Sequence, residues 1–206
     1  MRQAPAPEDQ VRADFYALLS RLYAAAPDAA LLRTIADAGE MAVADGQDPN
    51  GGFAVAWRML GRASQAMDPR AAAEEYQQLF IGVGKSEVSL YASSYVSPGA
   101  ANPLVEVRAR LARLGLARKP GVSMYEDHLA AICEIMRVLI AGAPGADTAP
   151  PRSLVEQREF FGMHVAPWVF ACCSAIRTCP IANYYLRVAE FTESFMAIER
   201  DSFAME

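Results

Sequence analysis

Two histidines and four cysteines in 206 residues leave little from which to build a metal centre or a disulfide frame. His128 and His164 stand in no H-E-x-x-H spacing and no C-x-x-C pair occurs, so neither a metal site nor a cofactor site is expected. Cys133, Cys172, Cys173 and Cys179 fall mostly inside apolar helical pattern, which reads as reduced core thiols. Nucleophilic catalysis is equally short of parts: nothing places a cysteine beside a histidine or supplies a third, orienting group, so no catalytic residue is named and the chain is not read as an enzyme. Long apolar runs are lacking too. The longest, from Val165 to Ile176, is interrupted by Pro167 and falls well short of the ~20 residues a bilayer span needs, so no stable membrane insertion is expected. The opening MRQAPAPEDQ has no apolar leader core, which points to the cytoplasm. Positive charge is in deficit. A net charge of −5 argues against nucleic acid, whose phosphates need basic patches, and suits a basic partner.

What is present is apolar residues at helical spacing. A hydrophobic content of 53% is enough for a sizeable core. Val11, Phe15, Leu18, Leu19 and Leu22 make the first stripe, which Pro27 ends. A second helix is expected from Asp28 to about Val43, then a turn at 45–52, then a third helix marked by Phe53, Trp57 and Leu60. Asp68 before Pro69 is a cap followed by a first-turn proline, opening a fourth helix with Tyr76, Leu79 and Phe80 on its apolar face. Residues 82–100 break the periodicity and predict a long ordered loop, with a weak strand hint at Val88–Tyr91; loops of this length are usually functional. Asn102-Pro103 starts a fifth helix. Ser123 and Glu126 form an S-x-x-E capping box ahead of the strongest stripe, Leu129, Ile132, Cys133, Met136, Leu139 and Ile140. After a connector at 141–151, Ser153 and Glu156 repeat the box for a seventh helix. Pro167 opens or kinks an eighth, and Pro180 precedes a ninth whose stripe begins at Ile181. The reading is all-α: one helical bundle domain spanning residues 1–206, of about nine helices, with a hinge near 118–125 between two helical halves.

Two short constellations invite a chemical reading. Gly84-Lys85-Ser86 resembles the end of a phosphate-binding loop, and a nucleotide-binding switch or enzyme built on it is the alternative function. The required first glycine falls on Leu79, however, and a helix precedes the segment where that cradle needs a strand. Glu126, Asp127 and His128 are expected in the first turn of the sixth helix, where carboxylates are favoured by the helix dipole and cap free N–H groups. Asp127 and Glu134, seven apart, would then share an acidic stripe beside the apolar one.

Three segments together carry a resemblance. Tyr76-Gln-Gln-Leu79-Phe80-Ile-Gly82-Val-Gly84, the run Tyr125-Glu126-Asp127-His128-Leu129 continuing to Glu134 and Met136, and His164, Pro167 and Trp168 ahead of an aromatic last helix resemble, in order and separation, the TorD/DmsD family of redox-enzyme maturation chaperones. The loop departs from the family pattern at Val83 and at Ser89-Leu90, where prolines are common. The resemblance implies an all-helical cytoplasmic chaperone that binds the twin-arginine signal peptide, and in some members the body, of a molybdopterin-containing oxidoreductase until its cofactor is inserted and export is permitted. It further implies a peptide groove formed by Tyr76, Leu79, Phe80, Leu90, Tyr91, Asp127 and His128, and leaves both a monomer and a helix-swapped homodimer open. The chemistry is coherent: paired arginines call for carboxylates, and the apolar stretch of such a leader calls for an adjoining nonpolar trough.

Overall fold

A computed structural model describes residues 6–41, 52–97, 99–143 and 150–205. Among them are nine α-helices: α1 (Pro7–Ala24), α2 (Ala29–Met41), α3 (Gly52–Ala66), α4 (Pro69–Tyr76), α5 (Pro103–Arg113), α6 (Leu129–Ala141), α7 (Leu154–His164), α8 (Val169–Thr178) and α9 (Tyr184–Ala204). A π-helical turn (Gln77–Ile81) extends α4 and a 3-10 turn covers Ala92–Ser94. The described residues hold no β-strand, only an isolated antiparallel bridge between Tyr91 and His128. The protein is all-α. Most of the expected turn at 45–52 and the middle of the connector at 141–151 lie outside the described residues.

Local chemistry sets several of the boundaries. Asp68 accepts the N–H groups of Arg70 and Ala71, with Pro69 in the first turn of α4. Asn102 caps α5 through Leu104 N–H, and Ser153 with Glu156 completes a reciprocal capping box on α7. Three starts differ from expectation. α6 begins at Leu129 and its cap is His128, so Ser123 caps nothing and Glu126 and Asp127 precede the helix. The backbone of 127–129 is already committed elsewhere: Ala92 N–H donates to Asp127 C=O at 2.9 Å, and Leu129 N–H to Leu90 C=O at 2.8 Å. Asp127 and Glu134 therefore share no helical face. Pro167 stays in the turn before α8, and Ile181 lies in the turn before α9.

The chain divides into two compact units, each assembled from two separate pieces. Unit 1 comprises Met1–Ala24 and Leu90–Trp168, unit 2 Ala25–Ser89 and Val169–Glu206, and the 118–125 segment lies within unit 1. In unit 1, α1 lies along α6, which also packs on α7. Tyr16, Leu19, Leu22 and Tyr23 of α1, Leu129, Ile132, Cys133, Met136 and Leu139 of α6, and Phe160 of α7 are fully buried there. Each side chain of this kind contributes about 1.5–3 kcal/mol by leaving water.

In unit 2, α2 packs on α3, and α3 and α8 pack on α9. The α2–α3 crossing is close because Gly39 and Gly61 meet: a Cβ added at Gly39 would stand 2.9 Å from the Gly61 Cα. Phe53, Trp57, Phe191 and Phe195 form an aromatic cluster between α3 and α9. The Glu75 carboxylate accepts the N–H groups of Asn183, Tyr184 and Tyr185 at 2.8–2.9 Å, capping α9 from α4. Beside it, Tyr184 shares a hydrogen bond with Ser64 at 3.1 Å, and burial pushes its phenol up to about 12.

Candidate functional site

The residues expected to form a peptide groove fall into two groups. Leu90, Tyr91, Asp127 and His128 meet in unit 1. Besides the two backbone bonds above, Ser93 N–H donates to Asp127 Oδ2 at 3.3 Å, and the Tyr91 and His128 rings pack edge to face with centroids 4.8 Å apart. Leu90, Asp127 and His128 are buried while Tyr91 keeps partial exposure. Burial, and next the Asp127 charge, push the Tyr91 phenol up from its ordinary value. His128 Nδ1 accepts Ala130 N–H at 3.1 Å, and burial pulls the ring pKa down to about 4, so the imidazole is neutral at pH 7. In this arrangement Asp127 and His128 fasten the long loop to the start of α6.

Tyr76, Leu79 and Phe80 gather in unit 2. The Tyr76 and Phe80 rings lie 5.3 Å apart, and each meets Tyr185. Leu79 is fully buried, Tyr76 nearly so, and Phe80 is half-buried. The π-helical turn that carries Leu79 and Phe80 ends at Gly82, whose positive φ of 65° and lack of a side chain let the chain fold back. A Cβ there would come within 2.2 Å of the Lys85 carbonyl oxygen. Val88 N–H then donates to Leu79 C=O at 2.9 Å, closing the reversal. Gly84-Lys85-Ser86 thus sits in a tight exposed loop, without the strand before it or the helix after it that a phosphate cradle uses.

An open apolar space of unit 1 lies beside Met124 and Glu126. A groove of about 360 Å³ runs between the end of α1 (Ser20, Ala24), Leu111 of α5, the 116–126 connector and one face of α6. Its apolar lining includes Leu111, Leu116, Ala130, Ala131, Ile135 and Val138. Alanines at 24, 117, 130 and 131 leave room where larger side chains would fill it. Two carboxylates line it, Glu126 and Glu134, and each is held by guanidinium groups. Arg108 Nε donates to Glu126 Oε2 at 3.0 Å while Arg118 Nε lies 3.6 Å from Oε1. Arg137 grips Glu134 with two bonds of 2.7 Å. Both Arg108 and Arg118 also lie over the exposed Tyr125 ring, 5.7 and 5.9 Å from its centroid. Sequence reasoning treated Glu126 only as a capping residue and passed over Arg108, Arg118 and Ala131; the run of small residues in α6 was the available signal.

A family model described as the nitrate reductase delta subunit matches residues 47–174. The chain belongs to the nitrate reductase delta subunit family. Its matched span runs from just ahead of α3 into α8, and so takes in both the π-helical turn and residues 124–128. The nitrate reductase delta subunit family is one of chaperones for molybdoenzyme maturation, in keeping with the TorD/DmsD resemblance carried by those same segments. No curated protein matches the chain. No single described helix is long and apolar enough to cross a membrane.

Proposed function

We propose that the chain is a system-specific cytoplasmic chaperone that holds the twin-arginine leader of an immature molybdoenzyme until its cofactor is in place. It works by binding and release, with no bond made or broken. The apolar stretch of the leader lies in the unit 1 groove, and its arginines reach the carboxylates that line it. The observation that carries this reading is the groove itself: a nonpolar trough whose two carboxylates are both paired with guanidinium groups. Within the unit 1 part of the contact set implied by the resemblance, Tyr91 has surface to offer, whereas Leu90, Asp127 and His128 are buried. Filling the trough should abolish capture. Ala131→Trp, placed on the lining of α6, is expected to weaken binding of a twin-arginine leader peptide at least about tenfold, one misplaced large side chain costing more than 1.4 kcal/mol. Titration calorimetry checks this, with circular dichroism to show that the helices persist. Undiminished binding would remove the groove from the proposal.

A further inference from the structure

We infer that Arg118 is an internal stand-in for an arginine of the ligand, occupying Glu126 until a guanidinium-bearing apolar peptide displaces it. This rests on the leader-binding reading above. Glu126 is nearly buried, yet it lines the groove, so a partner can reach it from that side. Its two oxygens are held unequally. Arg108 takes Oε2 in a hydrogen bond of 3.0 Å, while Arg118 approaches Oε1 only to 3.6 Å, outside hydrogen-bond range. Arg118 also lines the groove, a third of its side chain is exposed, and it is otherwise held by a bond from Nη1 to Met124 C=O at 3.1 Å and by the Tyr125 face.

A pair this long, with its cation partly in water, is weak enough for a competitor to replace. A guanidinium arriving along the trough would find in Oε1 an acceptor whose hydrogen bond Arg118 does not complete, and beside it the Tyr125 face that Arg118 now covers. The stand-in gives Oε1 a cationic neighbour while the groove is empty, Oε2 being held by Arg108. It also tunes selectivity. A purely apolar segment gains nothing by displacing Arg118, whereas an arginine-bearing one replaces like with like.

The test is fluorescence anisotropy with two labelled synthetic peptides, one carrying adjacent arginines ahead of a leucine- and alanine-rich stretch, the other with glutamines for those arginines. Arg118→Gln is expected to bind the arginine peptide about threefold to fivefold more tightly than wild type, the loss of a weak competing pair. The gain should vanish with the glutamine peptide and in the Arg118→Gln, Glu126→Gln double variant. Arg113→Gln, an exposed arginine of α5 outside the groove lining, sets the effect of removing one positive charge in general. If wild type binds but Arg118→Gln gains no more than Arg113→Gln, or gains equally for the glutamine peptide, the stand-in is overturned and leader binding survives. If neither wild type nor variant binds the arginine peptide, leader binding falls and this inference with it.

Discussion

His128 does with an imidazole what serine or aspartate does at most helix starts. Nδ1 can accept the Ala130 N–H only while it carries no proton, and burial keeps it so, with a pKa lowered from 6.5 to about 4. As pH falls, the unfolded chain takes up this proton first. The stability that His128 contributes is therefore complete above about pH 6.5, erodes between there and pH 4, and levels off below, a total of roughly 3 kcal/mol. His128→Asn keeps a capping acceptor and removes the titration. In urea denaturation at pH 7.5 and pH 5, wild type should lose on the order of 2 kcal/mol more than the variant. His164, also held below its ordinary pKa, first by burial, is common to both proteins and cancels from the difference.

At the scale of elements, two non-local devices set unit 2. Glu75 on α4 supplies the cap that α9 lacks in its own sequence, Asn183 making no side-chain cap bond. Glu75→Ala should lower stability by about 1–2 kcal/mol and loosen the first turn of α9, visible as faster amide exchange at Tyr184 and Tyr185. The α2–α3 crossing depends on two facing glycines. Gly61→Val should cost on the order of 1–3 kcal/mol in a denaturant melt, because backbone stands where its side chain would go. Neither device was legible from the sequence, since each joins residues that no local pattern relates. The helices were legible, and so were the caps at Asp68, Asn102 and Ser153, because their partners lie within three residues. Ser123 with Glu126 misled for a physical reason. The pattern is right, but the bonds of Asp127 and Leu129 to Ala92 and Leu90 hold His128 extended and move the helix start to Leu129. The association of Leu90 and Tyr91 with Asp127 and His128 was foreshadowed by the resemblance, whereas the groove depends on which faces of α1, α5 and α6 are left uncovered.

On the scale of the whole molecule, the chain passes between its two units three times, at Ala24–Ala25, Ser89–Leu90 and Trp168–Val169. Neither unit is a continuous stretch, so neither can be excised by a single cut. A fragment ending at Ser89 would carry α1 without α6 and α3 without α9, and it is expected to show little cooperative melting by circular dichroism. The α1–α6 pairing also bears on synthesis, for 104 residues lie between Ala24 and Leu129. The apolar stripe of α1 leaves the ribosome long before its partner does. Until α6 emerges that stripe is a sticky surface on a nascent chain, so this chaperone passes through an exposed stage of its own before it can shelter another protein.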